Sequence, residues 1–336
     1  MIKRVLVVGF GSIAKRHIRI IKKLLPKSEI AVLRKSNLPC SEAEINSKNC
    51  FSNLEQALKF NPDIAIIASP ASNHLEAVKI LSTHKVNLFI EKPLAENKIN
   101  AKQIFELCNV NRINAFLGYN LRFHDSIIEF NNLIKSGITG DIYSVESRVG
   151  QYLPDWRPGN DYKKSVSSSK LLGGGVLREL SHEIDYLSWI FGPFDWVSGN
   201  LGKVSSLKID VEDNAKVVFG YNSSYSNLPT IYLGLDFLRQ DTKRECEVIG
   251  SLGTLIWNGV DHSVKFFSKG KKKWKVLFKS NPDTDYSYEK ELNYFINQLL
   301  QGKSDLSSIS SGLKIVSLVE SIEKSNKLQK RIYLNE

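Results

Sequence analysis

The run Val5-Leu6-Val7-Val8-Gly9-Phe10-Gly11-Ser12-Ile13-Ala14 decides how the chain begins to fold. Its four apolar, mostly β-branched residues predict a strand buried on both faces, as parallel sheets require. Gly9 permits a tight turn, Gly11 lets backbone come close to a ligand, and Ala14 keeps the close helix packing of a third glycine. The next segment puts Ala14, Ile18, Ile21 and Leu25 on one face at helical spacing. A helix starting at Ser12 and Ile13 offers free N–H groups and a positive dipole end, which suit a pyrophosphate. Strand, glycine turn and helix in this order predict a Rossmann unit that binds a dinucleotide.

Further along the first third, apolar runs continue to alternate with amphipathic segments. Strands are expected at Arg4–Val8, Ile30–Leu33, Ile64–Ala68, Leu88–Ile90 and Ala115–Gly118. From about Tyr119 the pattern changes to a helix, a long glycine-containing loop through residue 175, and a second helix from Val176. Strands then follow one another without intervening helices, at Ala215–Tyr221, Thr230–Phe237, Glu245–Ile249 and Thr254–Trp257, so an antiparallel or mixed sheet is expected. Helices at Tyr288–Leu300 and Gly312–Ser325 close the chain. The fold class read from this order is α/β: an N-terminal Rossmann doubly wound parallel sheet, then an α+β domain with a large, mainly antiparallel sheet. The 336 residues divide at 1–120 and 121–336, consistent with two domains.

Composition narrows the partners. The net charge of +11, from 46 basic against 35 acidic residues, is spread along the chain. Its densest run, Lys269 to Lys275, lies between two strand-like segments and reads as a solvated hairpin turn rather than a nucleic-acid footprint. Cys40, Cys50, Cys108 and Cys246 show no CxxC pair and no metal-ligand spacing, so reduced thiols and no metal site are expected. With no signal-peptide core and no apolar stretch of membrane-spanning length, a cytoplasmic protein without a membrane partner is expected.

Candidate site residues cluster at predicted strand ends. After the second strand, Arg34-Lys35-Ser36 stands where an acid would hold a ribose 2′-OH, and these groups suit a 2′-phosphate, which favours NADP over NAD. Ser69-Pro70, Asn73-His74 and Glu91-Lys92 follow later strands at the end where ligands of open α/β sheets collect. Lys92, held beside a proline, could stabilise a hydroxyl losing its proton. In the second region, Gly173-Gly174-Gly175 leads into a helix that places His182 on shared faces with Glu179 and with Asp185. A histidine with carboxylates nearby suits proton transfer, and its structural alternative is a helix histidine satisfied by Glu179. The loop around Trp156-Arg157 could stack on a ring and reach a phosphate, or form an ordered surface loop.

Gly9-x-Gly11-x-x-Ala14, Glu91-Lys92-Pro93, Tyr119-Asn120-x-Arg122-Phe123, Trp156-Arg157 and Gly173-Gly174-Gly175 through His182-x-x-Asp185 together resemble the Gfo/Idh/MocA family, over nearly the whole chain. The resemblance implies a sheet domain that often forms the oligomer interface, hence a homodimer or homotetramer. It implies that Lys92 orients and polarises the reacting oxygen, that His182 is the general acid/base, and that Trp156 and Arg157 contact cofactor. Tyr119, Arg122, Tyr162, Lys92 and His182 are the substrate-contact candidates. The implied reaction is hydride transfer between a nicotinamide and a sugar, sugar acid or nucleotide sugar, with bacterial surface-sugar biosynthesis as a setting. A dinucleotide-dependent glycosidase and a non-enzymatic dinucleotide-binding regulator are the alternatives. Family members often carry an aspartate four residues before the histidine. Arg178 stands there instead, which leaves the third catalytic residue open between Glu179 and Asp185.

Overall fold

In a computed structural model of the chain, residues 2–34, 49–222, 229–303 and 305–334 are described. Two units emerge, Met1–Asn120 with Thr284–Val316, and Leu121–Asp283 with Ser317–Glu336. The return of Thr284–Val316 to the first unit adds to the division at residue 120 a crossing that no local pattern announces.

The first unit is built on β1 (Arg4–Val8), whose burial on both faces follows from its apolar run. It pairs in parallel with β2 (Glu29–Leu33) on one side and β4 (Ile64–Ile67) on the other, with Val7 opposite both Val32 and Ile66. β3 (Cys50–Phe51), β5 (Asn87–Glu91) and β6 (Ala115–Gly118) complete a six-stranded parallel sheet of order β3-β2-β1-β4-β5-β6. Helices α1 (Ser12–Leu24), α2 (Leu54–Lys59), α3 (His74–Thr83) and α4 (Lys98–Val110) connect the strands. Asn53 and Asn97 cap α2 and α4 by accepting main-chain N–H groups. On α1 the stripe Ala14, Ile18 and Ile21 is buried against β1, and the helix Tyr286–Leu300 adds Leu292, Phe295 and Ile296 to the same core.

The second unit carries α5 (Asp125–Lys135), α6 (Val176–Glu179), α7 (Ser181–Phe191) and a nine-stranded sheet. Its strands are β7 (Ile142–Gly150), β8 (Trp196–Gly202), β9 (Asn214–Gly220), β10 (Thr230–Asp236), β11 (Lys243–Gly250), β12 (Gly253–Asn258), β13 (Ser263–Ser268), β14 (Lys273–Lys279) and β15 (Ile332–Tyr333). Every neighbouring pair is antiparallel except β7 and β10, where Val145 lies beside Ile231. Alternation gives one buried face, with Val145, Ile231, Leu233, Val248 and Leu255, and one open face, with Tyr232 and Ile249. Tyr186 of α7 reaches the buried face, sharing a 2.6 Å hydrogen bond with Ser147 and packing edge-on against Trp257.

One expectation is overturned. Cys108 and Cys246 are free and buried, but Cys50 is disulfide-bonded, with its partner outside the described residues. The spacing argument addressed only close sequence pairs. No described helix is long and apolar enough to cross a membrane.

Candidate active site

The C-terminal ends of β1, β4 and β5, three adjacent strands, bring most of the first unit's candidates to one edge. Gly9 has φ +106°, and a Cβ there would sit 2.8 Å from the Ala68 carbonyl oxygen, so only glycine fits the turn. Its N–H donates to the Leu33 carbonyl at 2.8 Å, fixing the loop to β2. A Cβ on Gly11, by contrast, would meet nothing within 4 Å, which leaves open space above the start of α1. The first bond within α1 runs from the Lys15 N–H to the Gly11 carbonyl at 3.0 Å, so the N–H groups of Ser12, Ile13 and Ala14 precede the helix ladder. No acidic residue lies in that first turn. Beside it, the Ser69 hydroxyl is buried without a hydrogen-bond partner among the described residues. Unused donors, an acid-free helix start and an open glycine fit the pyrophosphate of a dinucleotide.

Two cations flank the loop. Arg34 lies over the Phe10 ring at 5.3 Å and Lys15 lies over it at 4.8 Å. Lys35 and Ser36, the other 2′-phosphate candidates, lie outside the described residues. Asn73 and Pro70 stay half-buried at the start of α3. His74 is fully buried, with Nδ1 3.2 Å from the Leu94 carbonyl and Nε2 2.9 Å from the Ser69 carbonyl. Its ring therefore ties the loop after β4 to the loop after β5. Burial lowers its pKa, so it acts there as a neutral brace.

Lys92 is half-buried at the end of β5, and its N–H donates to Glu91 Oε2 at 3.3 Å. The other oxygen of Glu91 lies 2.6 Å from Nε2 of the fully buried His17 on α1. Ligand atoms of His17, Glu91 and Glu291 all lie within 4.8 Å of one another. The composition is that of a metal site, yet His17 and Glu91 close directly on each other, a separation set by a shared proton. His17 is further enclosed by the Phe89 and Tyr288 rings. Thus the helix that begins at the glycine loop is anchored to the residue next to Lys92.

In the second unit the helix lead is steric as well as conformational. Gly175 has φ +108°, and a Cβ there would collide with the Glu212 carboxylate. His182 follows, half-buried in the first turn of α7. Glu179 accepts a hydrogen bond from the Ser167 hydroxyl at 2.9 Å. Asp185 is completely buried and gives both oxygens to Arg122, at 2.8 Å from Nε and 2.7 Å from Nη2. Arg178 is bound to Glu323. Tyr162 accepts from the Lys208 N–H at 3.3 Å, and Trp156 donates to the Gln151 carbonyl at 3.1 Å and packs edge-on to Phe237. Arg157 is exposed, and Tyr119, in the first unit, is buried.

Residues 3–119 match the family model described as an oxidoreductase family with an NAD-binding Rossmann fold, and residues 127–256 match the Gfo/Idh/MocA C-terminal domain. The chain belongs to the Gfo/Idh/MocA family. It is similar to an uncharacterized oxidoreductase of Streptococcus pneumoniae, 27% identical over 188 residues that make up 55% of this chain and 49% of that protein. A second oxidoreductase, from Synechocystis, is 26% identical over 220 residues, 63% of this chain and 58% of that one. The chain thus spans about half the length of the curated relatives it matches. Its fold is that of the WlbA dehydrogenase of Bordetella pertussis, solved with NADH and UDP-GlcNAcA, at a TM-score of 0.80, 20% identity and 99% coverage of each chain.

Within this Gfo/Idh/MocA protein, sequence reasoning missed His17 and Glu291. A histidine inside the apolar stripe of α1 was the available signal, because a polar group on a core face must find a partner. Glu291 offered a weaker one, sitting beside Leu292 and four residues before Phe295 on the core side of its helix.

Proposed function

We propose that this Gfo/Idh/MocA protein is an NADP-preferring oxidoreductase that moves a hydride between nicotinamide and a hydroxyl- or carbonyl-bearing carbon of a sugar, sugar acid or nucleotide sugar. The observation that carries the reading is the edge formed by β1, β4 and β5. It presents the Gly9–Ala14 loop, the orphan Ser69 hydroxyl and Lys92 together, braced by His74 and by the His17–Glu91 contact. The nicotinamide dinucleotide, when bound, supplies or takes up the hydride. Ser12, Ile13 and Ala14 hold its pyrophosphate through their N–H groups, and Arg34 meets the 2′-phosphate with its guanidinium. Lys92 polarises the reacting oxygen, and His182 takes or returns that oxygen's proton. Glu179, bound by Ser167, is the stronger candidate to assist His182, because both oxygens of Asp185 are directed to Arg122. A dehydrogenase of the same fold binds UDP-GlcNAcA, and on that footing we extend the nucleotide-sugar class, with a role in surface-sugar biosynthesis, to this chain. We also take the protein to be a cytoplasmic homo-oligomer.

Removing the proton-transfer group or the polarising ammonium is expected to lower turnover by about 10²–10⁴-fold each while dinucleotide still binds. Steady-state kinetics of His182→Ala and Lys92→Ala test this, and full turnover in both variants would sink the assignment. For the cofactor, Arg34→Ala should weaken NADP about tenfold or more and leave NAD unchanged, the loss of one charge-assisted contact. Tighter NAD binding, unaffected by that substitution, reverses the preference.

A further inference from the structure

Within the second unit, a hollow of about 550 Å³ lies between the segments Tyr162–Lys170 and Lys203–Asp210, and none of the groups assigned to hydride transfer is among its lining residues. Its walls are stitched together. The Lys170 N–H donates to Asp210 Oδ1 at 2.8 Å, the Asp210 N–H donates to the Ser168 carbonyl at 3.3 Å, and the Lys208 N–H reaches Tyr162 Oη at 3.3 Å. The second wall is also clamped from beneath. Fully buried Asp213 accepts the Val204 N–H at 2.8 Å, the Ser205 N–H at 3.1 Å and the Ser205 hydroxyl at 2.5 Å. Leu207, 6% exposed, pins the same turn to the core. The hollow is therefore held open by hydrogen bonds of its own framework.

Its lining is strongly one-sided in charge. Lys163, Lys203 and Lys208 line it together with Ser169 and Ser206, Asp210 is the one carboxylate among its described lining residues, and the buried Ser168 hydroxyl is used within the wall, on the Lys163 and Ser165 carbonyls at 2.9 Å. None of the three lysines has an ion pair among the described residues, although Lys203 Nζ donates to the Ser205 carbonyl at 2.9 Å. Three lysines lining one hollow favour an anion there over a second cation. Flexible lysine heads with three donors each, beside serine hydroxyls, match an oxyanion with several acceptor oxygens better than a two-oxygen carboxylate. The volume falls within the range of small-molecule sites, about 300–1,000 Å³. The lysine-rich turn after β13 differs, because its residues stand exposed on the hairpin between β13 and β14.

We propose that this hollow binds a phosphate-bearing small molecule, with its phosphoryl oxygens held by Lys163, Lys203 and Lys208. Calorimetric titration of the full chain with pyrophosphate tests it. Compared with wild type, the triple variant Lys163→Ala, Lys203→Ala, Lys208→Ala should lose one bound equivalent, or bind that equivalent at least about tenfold more weakly. Lys271→Ala, Lys272→Ala, Lys273→Ala changes net charge equally and should bind as wild type does. Counting equivalents separates the hollow from any pyrophosphate taken up by the glycine loop. Since all six lysines are exposed, unchanged thermal unfolding establishes that both variants are folded. UDP and glucose 1-phosphate, titrated in competition, identify what carries the phosphate: tighter UDP binding assigns a nucleotide, and tighter glucose 1-phosphate binding a phosphosugar. Identical titrations for wild type and the first variant, or equal losses in both variants, would overturn the proposal.

Discussion

Among the described residues, Asp185 in the second unit and Glu291 in the first are carboxylates buried completely near candidate catalytic groups, and the two are accommodated in opposite ways. Asp185, in the second unit, faces a bidentate guanidinium from Arg122. Glu291, in the first, has no hydrogen-bond partner on either oxygen among the described residues, and the charge acting on it is that of another carboxylate, Glu91. Burial pushes both carboxyl pKa values up. Arg122 opposes the shift at Asp185, whereas Glu91 adds to it at Glu291. A charged fork therefore suits Asp185, and a neutral acid suits Glu291. The same desolvation is met by a counter-charge in one unit and by a retained proton in the other.

Breaking the fork tests the charged half of this contrast and carries the larger effect. Arg122→Ala leaves a carboxylate buried with its partner gone, and the expected loss is about 3–5 kcal/mol of unfolding free energy. The double variant Arg122→Ala, Asp185→Asn removes the stranded charge along with its partner and should recover most of that loss. Urea unfolding at neutral pH measures both. A cost below about 1 kcal/mol for Arg122→Ala would put the pair among exposed surface bridges and remove the distinction.

Neither carboxylate's role was legible in the sequence, although much around them was. The strands at Arg4–Val8, Ile64–Ala68 and Ala115–Gly118 were expected within a residue of where they lie, because apolar runs and glycine turns are local signals. Gly9 could be read for the same reason: a tight turn imposes its demand on one residue. Contacts that brace the site connect distant positions instead. His17 meets Glu91 across 74 residues, Arg122 meets Asp185 across 63, and Arg178 meets Glu323 across 145. Helical spacing put Glu179 and Asp185 equally near His182, and what separates them is the partner that each finds, Ser167 or Arg122. Periodicity describes which face a residue lies on, but the choice of partner is made by tertiary packing.

The neutral half of the contrast can be sharpened through pH. Near pH 4, close to the ordinary glutamate pKa of about 4.3, the unfolded chain still holds much of its Glu291 proton and differs little from the fold. Above that range the unfolded chain releases the proton while the folded chain keeps it, so the fold binds more protons. Stability then falls as pH rises, by at most about 1.4 kcal/mol per pH unit, until the raised folded pKa is passed. Glu291→Gln keeps the shape and polarity of a protonated carboxyl and has nothing to titrate. Urea unfolding from pH 4 to pH 8 should therefore show wild type and variant nearly equal at the acid end, with the variant pulling ahead as pH rises above about 5, until the raised folded pKa is passed. Parallel curves at every pH would mean that Glu291 is ionised in the fold and has found a cation, and the two units would then handle buried charge alike.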